Sequence, residues 1–250
     1  MRALARRILR DPKASLAAGF VGLLIGAAAV FLAQAKGLDR PFAADADRAR
    51  IEEIVRDYIF AHPDILPQAM DRLHDRETAK VVDVHRAAIE TPFAGTWAGA
   101  PNGDVTLVEF FDYACPYCRV TNADVARLLK EDSKLKVVWR ELPVLGEDSV
   151  AAAQVSLAAA KQGRFRAFHD QLFGAGRPTQ DAVAAARKAA GVTAVQSAEF
   201  GTEIDRNFEL ARALSATGTP TFVVGDKVLG GAVGYDALKE AIAEVRKSRS

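Results

Sequence analysis

The stretch of sequence that decides the fold is Glu109-Phe110-Phe111-Asp112-Tyr113-Ala114-Cys115-Pro116-Tyr117-Cys118. It holds both cysteines of the 250-residue chain, and two residues separate them. A disulfide across so short a loop removes little entropy from the unfolded chain, so it would stabilise the fold only weakly. The pair is therefore better explained by chemistry than by stability.

The segments around the cysteines predict a strand, a helix and a second strand. Val105–Phe111 is rich in β-branched and aromatic residues, which favours a buried strand. A helical segment follows Cys118 to about Leu129, and Leu135–Leu142 predicts another strand. Two cysteines in C-x-x-C spacing within a β-α-β pattern are typical of thioredoxin-like redox proteins.

The two cysteines are expected to have different roles. A thiol at a helix N-terminus ionises readily, because unpaired N–H groups and the positive end of the helix dipole stabilise the thiolate. Pro116 suits the first helical turn, where its missing N–H costs nothing. Cys115 is therefore predicted to be the exposed nucleophile, and Cys118, one turn further in, the shielded resolving thiol.

Zinc ligation is the alternative interpretation of the cysteine pair. Structural zinc normally takes four ligands, but the chain has no second C-x-x-C and its four histidines are dispersed. We therefore predict no metal site and no cofactor, and we interpret the histidines as ordinary surface or core-edge residues.

The C-terminal part of the chain completes an α/β pattern. Helical segments with glycine breaks run over about 149–213. A hairpin joins Thr219–Gly225 to Lys227–Leu229, and Asp236–Val245 predicts a closing helix. The order β-α-β, helical block, β-β-α predicts one α/β domain over residues 91–250.

Two amphipathic helices form a predicted helical arm, residues 45–90. The first helix, Asp45–Ala61, ends at His62-Pro63, and the second runs from Asp64 to about Ile89. Their apolar stripes have no partner of their own in the sequence. We expect them either to associate with other copies, giving a homo-oligomer, or to cover the catalytic domain as a lid.

The N-terminal residues predict passage across a membrane. Residues 1–13 form a basic tip in which five of six charged residues are Arg or Lys, and residues 14–35 are apolar over a length that can span a bilayer. We favour an uncleaved transmembrane anchor over a signal peptide cleaved after Ala35. In either case residues 36–44 form a linker and the chain beyond them is exported.

The composition argues against nucleic-acid binding. The formal net charge is +1, and the basic tip accounts for the positive excess, so no basic face remains for a nucleic acid. Half of the residues are hydrophobic, which is enough for one sizeable core.

Several segments resemble the DsbA-type thiol–disulfide oxidoreductases. The ten residues quoted above resemble that family's active-site segment, and Gly218-Thr219-Pro220-Thr221-Phe222 resembles its cis-proline loop. The likeness extends loosely over about Phe93–Val245, with 149–213 as the family's helical insertion. Residues 46–90 are similar to the N-terminal oligomerisation segment of ScsC-like and Com1-like members.

The resemblance implies a thioredoxin fold with a helical insertion, preceded by the helical arm and the membrane segment. It implies that Glu109 is a buried acid with a raised pKa that relays the proton of Cys118. The residues alone leave a solvent-facing Glu109 open. Thr219 would pair through its backbone with an extended client segment. The bond before Pro220 would be cis, although most X–Pro bonds are trans.

Pro116 and Tyr117, between the cysteines, would also contact clients. Tyr117 is a departure from the family pattern, because DsbA itself has a histidine there. Tyrosine brings no positive charge near Cys115, so the thiolate would be less stabilised and the protein a milder oxidant.

The predicted function is the formation or isomerisation of disulfides in exported proteins, carried out in the periplasm. Reduction of disulfides is one alternative, and handling of Cu(I), a soft ion that suits thiolates, is another. The predicted partners are exported client proteins, a DsbB-like or DsbD-like membrane redox protein, and further copies of the chain.

Overall fold

The computed structural model describes residues 26–28, 31–32, 45–193 and 198–249. The predicted basic tip, cleavage site and linker lie outside the described residues. So does the predicted membrane span, apart from 26–28 and 31–32, which are helical. No helix in the described ranges combines the length and hydropathy needed to cross a bilayer. The chain divides into two compact units, residues 1–68 and 69–250.

The unit of residues 1–68 contains helix α1, Asp45–Ala61, and the start of helix α2, Ile65–Glu90. The predicted bounds of α1 are confirmed. The His62 N–H still donates to the Tyr58 carbonyl, at 2.9 Å, but Pro63 follows and has no N–H with which to continue the helix. The large apolar side chains of residues 45–68 that are more than a third exposed are Ile51, Ile54, Val55, Tyr58, Phe60, Ile65 and Leu66.

One sheet organises the unit of residues 69–250. Its strands in the described ranges are β1 Trp97–Gly99, β2 Val105–Phe111, β3 Leu135–Glu141, β4 Thr221–Val224 and β5 Lys227–Gly230. They lie in the order β1-β3-β2-β4-β5. β2 and β3 are parallel. The other pairs are antiparallel: β1 with β3, β4 with β2, and β5 with β4.

Helices cover this sheet in two groups. Beyond α2 they are α3 Pro116–Glu131, α4 Glu147–Lys161, α5 Phe165–Ala175, α6 Gln180–Ala190, α7 Ala198–Ala213 and α8 Gly234–Ser248. α3 and α8 contact each other and the sheet; α4, α5 and α6 pack together, and α7 contacts α4 and β3. The helices α4–α7 are the predicted insertion, so the α/β order with a helical insertion is confirmed.

Both faces of the central strands are buried. Leu107 and Phe111 of β2 join one core cluster with α3, α8 and the insertion. Val108 and Phe110 join a second cluster, with the C-terminal half of α2 and with α7. A strand covered on both faces shows a nearly continuous apolar run, which is why β2 could be recognised from its sequence.

The strand β1 was not predicted. It pairs antiparallel with β3, Trp97 lying opposite Val138. Its three residues are too few to show an alternating pattern. Gly99 ends it with φ +90°, and a Cβ atom there would meet the Leu135 carbonyl, so this position requires glycine.

The second half of α2 belongs to the unit of residues 69–250, so the division falls within α2 and not at the predicted residue 90. Val82 and Ile89 are fully buried in the second core cluster. The buried guanidinium of Arg140, on β3, binds the end of α2. It donates to the carbonyls of Ala88, Ile89 and Thr91 and to the side chains of Glu203 and Asn207.

Candidate active site

Helix α3 starts immediately after the first cysteine, as predicted. Cys115 is the N-cap, with φ −76° and ψ 117°, and Pro116 occupies the first helical turn. The Cys115 N–H donates to the Asp112 carbonyl at 3.0 Å. Its Sγ donates to the Thr219 carbonyl at 3.2 Å, so the cysteine motif and the Thr219-Pro220 loop, 104 residues apart in sequence, meet at one point.

The two thiols are free and differ in burial less than expected. Cys118 is fully buried, and Cys115 is 3% exposed. The expectation of an exposed Cys115 is therefore wrong for this state of the chain, because the loop carrying Thr219 lies against its Sγ. The residues between the thiols, Pro116 and Tyr117, are exposed.

Glu109 lies in the interior of the protein, close enough to Cys118 to affect the pKa of its thiol. It is 2% exposed, so the solvent-facing alternative is wrong. Its Oε1 accepts from Thr121 Oγ1 at 3.2 Å and its Oε2 from Trp139 Nε1 at 3.1 Å. Burial raises the pKa of Glu109 to about 8, even though these two hydrogen bonds act in the opposite direction.

Cys118 and Glu109 are electrostatically coupled. Burial raises the pKa of the Cys118 thiol, and the nearby Glu109 carboxylate raises it further. The Thr121 hydroxyl lies 3.1 Å from the Cys118 carbonyl and 3.2 Å from Glu109 Oε1, so it links Glu109 to the backbone of Cys118. The charge on Glu109 therefore affects how readily the Cys118 thiol ionises.

Asp112 clamps two loops together, a role that was not predicted. One carboxylate oxygen, Oδ1, accepts from the Ala114 N–H at 2.7 Å. The other, Oδ2, accepts from the N–H groups of Val144 and Leu145, at 2.8 and 2.9 Å. The loop before Cys115 and the loop after β3 are thus held by one side chain. An Asp directly after a strand is a recognised turn signal, so half of this clamp could have been found in the sequence.

A buried polar network, also not predicted, lies next to the dithiol. The Tyr113 hydroxyl is 2.9 Å from Ser156 Oγ and 3.2 Å from His169 Nδ1. His169 Nε2 is 3.2 Å from Asn122 Oδ1 on α3. Burial lowers the pKa of His169 and raises the pKa of Tyr113, so both are neutral. The interpretation of His169 as a surface or core-edge residue is wrong.

The loop opposite the dithiol borders a groove. The Thr219–Pro220 peptide bond is cis. The groove has a volume of about 520 Å³. Its lining includes Tyr117, Gly218 and Thr219, with His74 and Thr78 of α2. No group of three or more His, Cys, Asp or Glu side chains that could hold a metal occurs in the described part of the chain.

These features define the class of protein. A thioredoxin-like sheet with a dithiol at the start of the helix after its central strand, facing a cis-proline loop, is the arrangement of a thiol–disulfide oxidoreductase.

The comparison with protein families identifies the family. The model of the DSBA-like thioredoxin domain matches residues 106–243, more than half of the chain. The chain belongs to this family of thiol–disulfide oxidoreductases. A second model, described as the copper resistance protein ScsC N-terminal domain, matches residues 47–80.

Individual relatives are similar over 60% or more of this chain. Disulfide bond formation protein D of Bacillus subtilis is 27% identical over 170 residues, covering 60% of this chain and 77% of that protein. A linker-deletion mutant of Proteus mirabilis ScsC superposes with a TM-score of 0.67 at 27% identity, covering 84% of this chain and 100% of that one. A periplasmic thioredoxin-like protein from Salmonella enterica serovar Typhimurium gives a TM-score of 0.61 at 31% identity, covering 65% of this chain and 95% of that one.

Proposed function

We propose that this chain forms or isomerises disulfides in exported proteins, with Cys115 as the attacking thiol and Cys118 as the resolving thiol. The observation that carries the proposal is the position of Cys115 at the N-terminus of α3, 3.2 Å from the Thr219 carbonyl. Cys118 lies one turn further into the helix and is fully buried. Of the two sulfurs, that of Cys115 is therefore the one that borders the proposed client-binding loop.

In disulfide formation the client supplies the electrons. A client thiolate attacks Sγ of Cys115 in the oxidised pair; the client–Cys115 bond forms and the Cys115–Cys118 bond breaks. Cys118 leaves as a thiolate and takes up a proton. A second client thiolate then attacks the client sulfur of the mixed disulfide and releases Cys115 as a thiolate. In isomerisation, reduced Cys115 attacks a client disulfide, and a different client thiolate later displaces it.

We propose that Glu109 supplies the proton that Cys118 takes up. Its raised pKa keeps it largely protonated near neutral pH, and a group with a pKa close to the working pH is an efficient proton donor and acceptor. The raised pKa of Cys118 means that the buried thiolate is unstable in the absence of that proton. Both observations support a relay between these two groups.

We propose that clients bind along the Thr219-Pro220 loop and over Pro116 and Tyr117. The Thr219 backbone can pair with an extended segment in the manner of strand addition. The exposed Tyr117 ring, 64% accessible, offers an apolar contact beside the groove. Tyr117 also supports a mild oxidant, and we expect a dithiol potential more negative than the roughly −120 mV of DsbA.

We propose the periplasm as the location and a DsbB-like or DsbD-like membrane protein as the redox partner. Support for the location comes from the similarity to a periplasmic thioredoxin-like protein of Salmonella. Attachment to the inner membrane through residues 14–35 remains a prediction from the sequence.

Handling of Cu(I) is a second candidate, favoured by the match of residues 47–80 to the N-terminal domain of a copper resistance protein. Two thiolates are suitable soft ligands. Refolding of scrambled ribonuclease with a Cu(I) chelator present separates the two candidates. Unchanged refolding supports exchange by the dithiol alone, and loss of refolding supports copper.

Trapping of mixed disulfides tests the proposed roles directly. Cys118→Ser should accumulate covalent adducts with client proteins, because Cys115 can attack a client disulfide but no resolving thiol remains. Cys115→Ser, the matched control, should form none. Adducts are counted on non-reducing gels and by mass spectrometry. If Cys115→Ser forms adducts and Cys118→Ser does not, the roles are reversed.

A further inference from the structure

A second cavity lies beside the Thr219-Pro220 loop. It has a volume of about 230 Å³ and shares Thr217 and Gly218 with the larger groove. Its remaining lining is apolar except for one cation and comprises Leu142, Val144, Phe208, Ala211, Arg212 and Ala216. No residue of this cavity is used in the exchange chemistry described above.

The cavity is held at a fixed position relative to Cys115. Its Val144 wall is fixed through its N–H, which donates to Asp112 Oδ2 at 2.8 Å. The carbonyl of the same aspartate accepts the Cys115 N–H at 3.0 Å. On the other side, the Ala216 N–H donates to the Ala211 carbonyl at 2.9 Å, which closes the end of α7. The buried Asp112 therefore positions both the sulfur and the cavity wall.

The cavity also lies next to the path of a bound client. Gly218 precedes Thr219, and the Thr219 carbonyl is 3.2 Å from Cys115 Sγ. Consider a client that is bonded to Cys115 and paired with this loop. An extended chain advances about 3.3 Å per residue, so the client residue that lies beside Gly218 is one or two positions from the client cysteine. One side chain close to the client cysteine then meets the mouth of the cavity.

The lining indicates which side chain fits. A volume of about 230 Å³ is below the roughly 300–1,000 Å³ of small-molecule pockets, so it suits a single side chain. Because most of the lining residues are apolar, the cavity favours an aliphatic side chain. Arg212 is exposed, and none of the described acidic side chains forms an ion pair with it, so its charge is available to a client carboxylate.

We propose that this cavity is a client-binding subsite that receives one aliphatic side chain near the reactive cysteine, and that Arg212 favours a carboxylate beside it. The inference rests on the proposed function and adds a substrate preference to it. Clients whose cysteine is flanked by an aliphatic and an acidic residue react faster than clients with small, neutral flanks.

Symmetric disulfide dimers of short peptides test this preference. Each peptide has one cysteine, and either Leu or Ala two residues before or after it, in a Gly/Ser background. Reduced Cys115 attacks one peptide sulfur; one peptide leaves as a thiolate and takes up a proton, and Cys118 then displaces the second. The neutral bis(2-hydroxyethyl) disulfide serves as the reference substrate. We expect Leu to exceed Ala by about 10-fold on one side of the cysteine, as for a side chain in an apolar pocket.

Two variants of the cavity wall connect the preference to the cavity. Ala216→Leu fills the cavity, and Val144→Asp places a charge in the cavity wall. Val144 is 45% exposed, so its replacement by Asp does not bury a charge in the hydrophobic core. Both should reduce the Leu-to-Ala ratio towards one, and Ala216→Leu should leave the reference rate unchanged. A ratio that stays near the wild-type value in folded Ala216→Leu and Val144→Asp overturns the proposal.

Charge reversal tests Arg212 separately. In Arg212→Glu the preference for a peptide with Asp over one with Asn should fall by about 5-fold at low salt and less at high salt. Arg206→Glu is the matched control, because Arg206 is exposed on the same helix and does not line the cavity. An equal fall in both variants contradicts a local role for Arg212.

The reference substrate separates failure of the subsite from failure of the proposed function. If it reacts normally while Leu and Ala peptides react alike with the unmodified protein, the subsite is absent and the exchange function stands. If neither it nor any peptide reacts, the proposed function fails and the subsite fails with it.

Discussion

Glu109 and Glu141 have carboxyl groups that lie in the interior of the unit of residues 69–250. They are 2% and 1% exposed. Burial raises the pKa of Glu109 to about 8; burial raises the pKa of Glu141 as well, and the nearby Asp112 adds to the effect. Folding therefore keeps protons on groups that the unfolded chain releases, and this couples stability to pH.

Glu109→Gln should change how stability depends on pH. Below about pH 4.5 both states of the wild-type protein hold this proton, but between about 4.5 and 8 only the folded state does. The free energy of unfolding therefore falls as pH rises through this window, by on the order of 1.4 kcal/mol per pKa unit. The glutamine does not ionise, so the variant should gain stability relative to wild type between pH 5 and pH 8, as measured by urea denaturation.

The same variant should exchange disulfides more slowly, since in the proposed relay Cys118 loses its proton donor and acceptor. Glutamine also loses one of the two acceptors used by Thr121 and Trp139, a cost that does not vary with pH. A stability difference between the two proteins that stays constant from pH 5 to pH 8 would contradict an ionisable, buried Glu109. Unchanged stopped-flow exchange rates over the same range would contradict the relay.

At this scale the sequence predicted the residues that carry recognisable chemistry. Cys115, Cys118 and Glu109 were predicted as site residues because the C-x-x-C spacing and an acid within an apolar strand are unusual, and all three are buried. The contacts of Tyr113 with Ser156 and His169 could not be predicted, because they join residues 43 and 56 positions apart. Such contacts depend on how the helical insertion packs, which no local pattern encodes.

Among the elements, the C-terminal end of α2 is bound by a single buried side chain, that of Arg140. Arg140 donates to the carbonyls of Ile89 at 2.9 Å and Thr91 at 2.6 Å at the end of this helix. It also pairs with the buried Glu203 at 3.2 Å. The last turn of a helix leaves carbonyls without intrahelical partners. Here Arg140, a residue of β3, donates the hydrogen bonds to them.

Arg140→Leu should destabilise the protein by about 3–5 kcal/mol, because it leaves Glu203 buried without its partner. Hydrogen exchange should increase most over residues 80–90. Lys80→Leu is the control: it removes one positive charge from α2, but its pair with Glu77 is 70% and 59% exposed, so the loss should stay below about 1 kcal/mol. Similar losses from both changes would mean that Arg140 does not anchor α2.

Arg140 also shows why elements are easier to predict than their contacts. The run Leu135–Leu142 predicted a strand, and the structure has Leu135–Glu141. An alternating pattern would place its charged residues in solvent, yet Arg140 is 2% exposed because α2 and α7 cover that face. When both faces of a strand are buried, apolar and polar residues no longer alternate along it. The sequence then does not show which face of the sheet a given side chain lies on.

For the whole molecule, the exposed apolar residues of α1 are the feature that bears on assembly. Ile51, Ile54, Val55 and Tyr58 are each at least half exposed, and their spacing places them on one face of the helix. We propose that other copies of the chain cover this face, giving a homo-oligomer. Several dithiols would then act on one misfolded client at a raised effective concentration, which favours isomerisation.

A chain of residues 45–250 should scatter light as a dimer or trimer, and Ile54→Glu with Tyr58→Glu should make it monomeric. Arg56→Glu, on the opposite face of α1, should leave the oligomer intact. A chain of residues 69–250 should be monomeric and a weaker isomerase. Truncation at 69 is preferable to the predicted boundary at 91, because Val82 and Ile89 belong to the core. A monomeric 45–250 chain would indicate a lid or a spacer.

The sheet of this protein ends in very short strands on both sides. β1 has three residues, and β5 has four, including Lys227 and Gly230. A long, flat outer strand invites other polypeptides to add to it and can seed aggregates, and short or charged outer strands discourage this. A protein that acts on unfolded clients, as we propose for this one, is especially exposed to that hazard. The short outer strands of the described sheet leave few unpaired backbone groups to which such a chain could add.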